Sequence, residues 1–186
     1  MDATSSTAEA APVPAYSVTA RVLHWITAAL VLALVPLGFV IANEAGGAQQ
    51  ERLYDLHKSL GALMVPIIIL RLLVRLASPP LPLPDEIPAI QQFAAHATHW
   101  ALYALLLAQG LIGWIGTSAY PAPVPFFGLF NLPALWPENR ALSDQLLALH
   151  RWCGIAIAII VSIHIAAALY HHFVRKDRVL MRMLTG

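Results

Sequence analysis

Charge and sulfur are scarce in this chain. Of its 186 residues only 11% are Asp, Glu, Lys or Arg, and Cys153 is the single cysteine. One thiol excludes a disulfide framework and a cysteine-built zinc site, and its apolar surroundings mark it as packing. The formal net charge is +1 and the basic residues are scattered, so nothing tracks phosphates and nucleic acid is excluded as a partner. The first fifteen residues carry Asp2 and Glu9 instead of a basic start. They lack the form of a cleaved secretory signal and read as a disordered tail over 1–15. What abounds is hydrocarbon: 59% of residues are hydrophobic and the mean hydropathy is +0.67. A water-soluble fold of this length has too little interior for that, whereas lipid solvates the outer faces of spanning helices of about 20 apolar residues.

Four apolar stretches can span, Tyr16 to Ala42, Leu53 to Leu76, Gln91 to Ser118 and Ser143 to Phe173. Between them lie Asn43 to Arg52 with Gly46 and Gly47, the proline run Pro79 to Pro88, and the Pro-rich segment Tyr120 to Arg140, all rich in helix breakers. The stretches are too long and continuous for the alternating strands of a membrane barrel. The expectation is an all-α integral membrane four-helix bundle over residues 16–175, with 176–186 as a C-terminal tail, and with Pro36 and Pro66 as candidate kinks. Arg21, Arg71, Arg75, Arg175, Lys176, Arg178 and Arg182 fall on one side, against Arg52, Lys58, Arg140 and Arg151 on the other. Seven against four places both termini in the cytoplasm. Trp25, Trp100, Trp136 and Trp152 lie near segment ends, where indoles anchor in the headgroup zone.

Eight histidines, His24, His57, His96, His99, His150, His164, His171 and His172, all fall within or at the edge of apolar segments. An ionisable group in a membrane is costly without a partner and is a functional candidate by default. Neutral imidazole is an axial ligand for haem iron, and a pair saturates the metal so that it carries electrons instead of dioxygen. Two haems on one helix need ligands a near-integral number of turns apart. His150 and His164 are fourteen residues apart, about 40° short of four turns, with a rise of roughly 21 Å. At the outer side His57 and His150 both stand near the start of their helices and are level. At the inner side His24 lies eight residues after Tyr16 and His164 eight before His172, so these are level too.

The outer pair sits in a local repeat, Leu56-His57-Lys58-Ser59-Leu60-Gly61 beside Leu149-His150-Arg151-Trp152-Cys153-Gly154. Gly61 and Gly154, one turn beyond each histidine, clear space for a porphyrin face. Lys58 and Arg151 can pair a propionate or hold positive potential, or simply snorkel. The inner side has rivals. His99 in Thr98-His99-Trp100 echoes Leu23-His24-Trp25, and His171 follows His164 by seven residues on one face. Spacing leaves four candidates for one haem, and those not used line an inner pocket suited to a quinone head group, which imidazole can hydrogen-bond and protonate. His96 and His172 read as interfacial. Arg71 and Arg75, four apart, can reach inner propionates or snorkel.

Leu23-His24-Trp25, Leu56-His57 with Gly61, Arg71 with Arg75, Ala95-His96-Ala97-Thr98-His99, Leu149-His150 and Ile163-His164 through Tyr170-His171-His172 together resemble the bacterial cytochrome b561 family. This is a family of four-helix dihaem membrane proteins that includes the superoxide oxidase type. The tail from Arg175-Lys176-Asp177 to Met183 is also similar, and the resemblance covers nearly the whole chain after residue 15. It implies two haem b groups, held by His24 with His164 and by His57 with His150, and assigns His99 and His171 to a ubiquinone site. It further implies a bacterial inner-membrane location, with superoxide drawn to the outer haem by Lys58, Arg151, Arg52 and Arg140. The outer acids Glu44, Glu51, Asp55, Glu138 and Asp144 weaken that field. Two other functions compete: a membrane-anchor cytochrome for a dehydrogenase, disfavoured by the short loops, and a histidine-lined metal-ion or proton transporter, disfavoured by the lack of intramembrane carboxylates.

Overall fold

The computed structural model describes residues 16–44, 46–79, 82–83 and 87–185. The 1–15 tail lies outside these residues, as do Pro80, Leu81, Pro84, Asp85 and Glu86 of the proline run. Four long helices, α1 (Val18–Asn43), α2 (Ala48–Ala77), α3 (Ala89–Ala119) and α4 (Arg140–Tyr170), carry the fold. Each is long and apolar enough to cross a membrane, and together they form an integral membrane helical bundle in which the described ends meet, Tyr16 N donating to Arg182 O (3.4 Å); this end is the inner one in the expected orientation. Consecutive helices pack side by side, and α1 also touches α4.

Local chemistry explains where the helices begin and turn. The Ser17 hydroxyl accepts from the Ala20 amide (3.3 Å) and the Asn139 side chain from the Leu142 amide (3.0 Å), so α1 and α4 start on capped residues. α2 begins at Ala48, before its apolar stretch. Gly46 and Gly47 adopt φ of 99° and 92°, a left-handed backbone that glycine enters without strain. This sharp reversal lets Gln49 to Arg52 join the helix, and the Gln50 amide donates back to Ile41 O (3.1 Å) and Glu44 O (3.3 Å) at the end of α1. Pro36 and Pro66 lie inside α1 and α2, which run on as single helices.

The segment between α3 and α4 is more than a loop. Val124–Phe126 (β1) and Phe130–Leu132 (β2) pair antiparallel, and β1 packs on α2. The buried Ser59 hydroxyl accepts from the Phe127 amide (3.0 Å) and shares its proton between Asp55 O (2.7 Å) and Pro125 O (2.9 Å). At the inner end α4 passes into a π-helical turn, His171–Arg175, and a short α5, Met181–Leu184. This tail is tied across the bundle: Trp25 Nε1 donates to Met183 O (3.0 Å) and Arg182 to Pro82 O (2.7 Å).

The core holds one residue or two from each helix at mid-span: Leu30 and Val31, Met64 and Ile68, Leu106, and Ile157. Four of them are the midpoints of seven-residue steps. The ladders run His24–Val31–Gly38 on α1, His57–Met64–Arg71 on α2, His99–Leu106–Gly113 on α3 and His150–Ile157–His164 on α4. Seven residues are nearly two turns, drifting only about 20°. Each helix therefore presents one polar or glycine position, one buried apolar residue and a second polar or glycine position on the same face.

Ser59→Ala removes the hydroxyl that serves Phe127 and Pro125 together. It should destabilise the purified protein by about 1–3 kcal/mol and speed protease cleavage between Pro121 and Pro137. An unchanged melting temperature and cleavage pattern would mean that the hairpin is held by other contacts.

Candidate functional site

At the outer step of the ladder, α2 and α4 contribute His57 and His150, whose ring centres stand 6.0 Å apart at 76°. Glycines on the other two helices make the room. A Cβ at Gly38 would lie 3.3 Å from His57 Cε1, and one at Gly113 only 2.9 Å from His150 Cε1. His150 Nδ1 donates to Gln109 O (3.1 Å), and the Gln109 amide returns a bond to His150 O (2.9 Å). With Nδ1 protonated, the Nε2 lone pair is left for a metal or a donor. His57 Nδ1 is buried and has no hydrogen-bond partner.

At the inner step, His24 and His164 have ring centres 6.3 Å apart, and His99 approaches His164 at 5.5 Å. Arg71 donates to His24 Nδ1 (2.8 Å) and lies over the Tyr103 ring, while Arg75 lies over Trp100 and Tyr103. Both arginines are half-buried, and among the described residues neither forms an ion pair with a carboxylate. A cation so placed is stabilised by an anion arriving from outside the chain.

The residues fit haem on three observations. A metal–imidazole bond of about 2 Å on each side, plus about 1.1 Å from nitrogen to ring centre, requires roughly 6 Å between the rings of a bis-histidine site. Both pairs meet that spacing. Beyond His57, a Cβ on Gly61 would meet nothing within 4 Å, leaving open space on the face that carries the histidine. The two inner arginines offer charge for propionates. Gly154 differs from Gly61, because a Cβ there would press on Gln109 Nε2 at 3.3 Å. Its small size seats Gln109, the residue that orients His150.

The remaining candidates are spread out. His171 sits in the π turn with its ring edge-on to Tyr170 at 6.0 Å and its Nδ1 on Asp177, about 10 Å along the helix from His164. His96 is exposed and bonds to Gln92 O of its own helix (2.9 Å), and His172 packs on Phe173. Among the outer cations, Lys58 is largely covered, pairing with Asp55 (2.8 Å) and donating to Pro123 O (3.1 Å). Arg140 pairs with Glu138 (3.5 Å) and lies over Tyr120. Arg52 and Arg151 are exposed.

Gly38, Gln109 and Gly113, which touch His57 and His150, and Asp177, which meets His171, are positions to which the sequence alone gave no role. Gly113 did leave a signal: Gly110, Gly113 and Gly116 recur every third residue in an apolar helix, and Gly113 lies fourteen residues from His99. Asp177 stood only within the tail that resembles the family, and nothing in the chain announces the turn that folds it back onto His171.

The model of one protein family, prokaryotic cytochrome b561, matches residues 15–186. Cytochrome b561 homolog 2 of Escherichia coli (strain K12) is 36% identical over 171 residues, covering 91% of this chain and 90% of the relative. The probable superoxide oxidase CybB of Yersinia pestis is 29% identical over 163 residues, covering 87% of this chain and 91% of the relative.

The closeness of Gly113 to His150 is directly testable. Gly113→Ala should displace the ring and cost about 1–3 kcal/mol by overpacking, read as a lower melting temperature. A variant as stable as the parent would show slack around His150 that the packing does not have.

Proposed function

The chain belongs to the prokaryotic cytochrome b561 family, and from that premise we propose that it is a dihaem cytochrome oxidising superoxide at its outer end and reducing ubiquinone near its inner end. Membership implies b-type haem and electron transfer in a bacterial membrane. The finer reading is carried by one observation, the seven-residue ladder that brings two histidine pairs to haem-ligand spacing at opposite ends of an apolar core.

Haem, when bound, supplies a one-electron relay between the two ends. His57 and His150 would hold the outer group, and Gln109 keeps the His150 proton on Nδ1, leaving the Nε2 lone pair free for a metal. His24 and His164 would hold the inner group once Arg71, which donates to His24 Nδ1 (2.8 Å), leaves the ring for a propionate, so that the His24 proton moves to Nδ1 and Nε2 is free for the metal; Arg75 would offer a second charge for the propionates. His99, 5.5 Å from His164, and His171 serve the quinone, hydrogen-bonding its carbonyls and supplying protons. Val31, Met64, Leu106 and Ile157 exclude water from the middle of the bundle.

Superoxide, an anion, is drawn by exposed positive charge. Arg151, next to His150, and Arg52 provide it. Lys58 adds charge beside His57, although its bonds to Asp55 and Pro123 give it a second task, holding the hairpin against α2. The orientation is the one the basic residues favour: the hairpin outside, both termini in the cytoplasm of an inner-membrane protein.

Reduced-minus-oxidised spectra and haem content test the ligand assignment. His57→Ala or His150→Ala should each halve the haem and leave one low-spin b-type signal, whereas simultaneous loss of both signals would refute two independent sites. The rate of haem reduction by superoxide should fall as salt rises from low to physiological strength, where exposed charges are screened beyond about 8 Å. A salt-independent rate would remove the role given to Arg151 and Arg52.

A further inference from the structure

Among the described residues Asp177 is the single carboxylate at the inner end; Glu44, Glu51, Asp55, Glu138 and Asp144 all lie toward the other. It does not point into water. The π turn His171–Arg175 ends on Lys176 in a left-handed conformation, φ 53° and ψ 31°. The chain doubles back there, and the Asp177 amide donates to His171 O (3.2 Å). This brings the Asp177 carboxylate onto the histidine: Oδ2 meets His171 Nδ1 at 2.5 Å, and Oδ1 accepts from the Val179 amide at 3.0 Å. Arg175 Nε is 3.5 Å from Oδ2, and the Tyr170 ring is edge-on to the imidazole. The side chains of His171 and Asp177 are 16% and 19% exposed, shielded but within reach of water.

Single π turns are concentrated at functional sites, and a left-handed Lys is a strained choice. Their combined effect here is to seat one carboxylate against one imidazole. Burial pushes the Asp177 carboxyl up, but the hydrogen bonds from His171 and the Val179 amide, with the charges of His171 and Arg175, outweigh it and hold the group below the usual carboxylate range. The carboxylate thus accepts the Nδ1–H hydrogen bond, fixes the ring and leaves Nε2 as the position that takes up and gives away the transferable proton.

We propose that Asp177 is a positioning residue for His171, and that the pair relays a proton from the aqueous phase at the inner end to the quinone. This rests on the quinone role of His171 given above. Reduction of a quinone to its quinol takes two electrons, from superoxide by way of haem, and two protons. His171 gives its Nε2 proton to one carbonyl oxygen: that N–H bond breaks, an O–H bond forms, and water reprotonates the ring. The second proton comes from water without passing through this pair.

Purified haem-loaded protein is reduced with superoxide in a stopped-flow instrument and reoxidised by a short-chain ubiquinone. Asp177→Asn should leave haem reduction by superoxide unchanged and slow reoxidation by quinone about a hundredfold, the scale of a lost acid–base group. Asp177→Glu should retain most of the rate, and formate, a small weak acid, should restore part of it in the Asn variant. Parental reoxidation in Asp177→Asn together with slow reoxidation in His171→Gln overturns the role of Asp177 and leaves the quinone site standing. Parental rates in both variants overturn the quinone role of His171 itself. A slow Asn variant that neither formate nor Glu rescues marks Asp177 as merely structural and overturns the relay. Infrared spectra of the unmodified protein with labelled histidine give a readout independent of folding in any variant: the neutral His171 ring should carry its proton on Nδ1, with Nε2 protonated only in the charged form that donates, and a neutral ring protonated on Nε2 alone overturns the proposal.

Discussion

Hydrocarbon offers an imidazole nothing to hydrogen-bond, and every buried ring in this bundle is placed under that constraint. An unpartnered polar group in lipid costs several kcal/mol. Four of the histidines meet as facing pairs, one pair near each end of the span, and a fifth, His99, joins the inner pair; the paired rings stand 6.0 and 6.3 Å apart, a spacing that satisfies them through a shared metal and not through each other. Pairing in turn requires close approach of the backbones. Gly38 and Gly113 provide it at the outer step, because any side chain there would occupy the space of the rings. At the inner step α1 and α3 carry His24 and His99 in place of those glycines, and α2 carries Arg71 in place of a histidine. The two ends of one ladder thus become chemically different: two histidines seated against glycines outside, and three histidines with an arginine inside.

Between them, the midpoints Val31, Met64, Leu106 and Ile157 are each nearly fully buried. Seven-residue spacing lets a single helix face serve both ends without twisting either site out of register. The same apolar layer excludes water from the centre and sets the separation of the pairs. Packing and function are read from the same residues, and a substitution at mid-span acts on both ends together.

Each end is also closed by a short segment that is held by side chains of the spans. Ser59 and Lys58 hold the outer hairpin, and Trp25 together with the bond from Arg182 to Pro82 holds the inner tail. Lys58 illustrates how a residue's surroundings change its reading. In the chain it is a cation beside His57, a candidate ligand; in the fold it is mostly consumed by Asp55 and Pro123, while Arg151 keeps its exposure.

Properties of single helices were legible from residues alone. The four spans, the shared side of the two termini, and the fourteen-residue step from His150 to His164 follow from hydropathy and helical period, which act within one segment. The family pattern, itself a sequence property, then chose among the inner histidines where spacing left four. Relations between segments required the tertiary structure. That Gly38 lies under His57, that Gln109 orients His150, that the Pro-rich segment pairs as a hairpin on Ser59, and that Asp177 returns to His171 depend on which helix faces which and on a left-handed Lys176. A one-dimensional pattern carries the period of each helix but not the rotation of one helix against its neighbour, and packing alone sets that rotation.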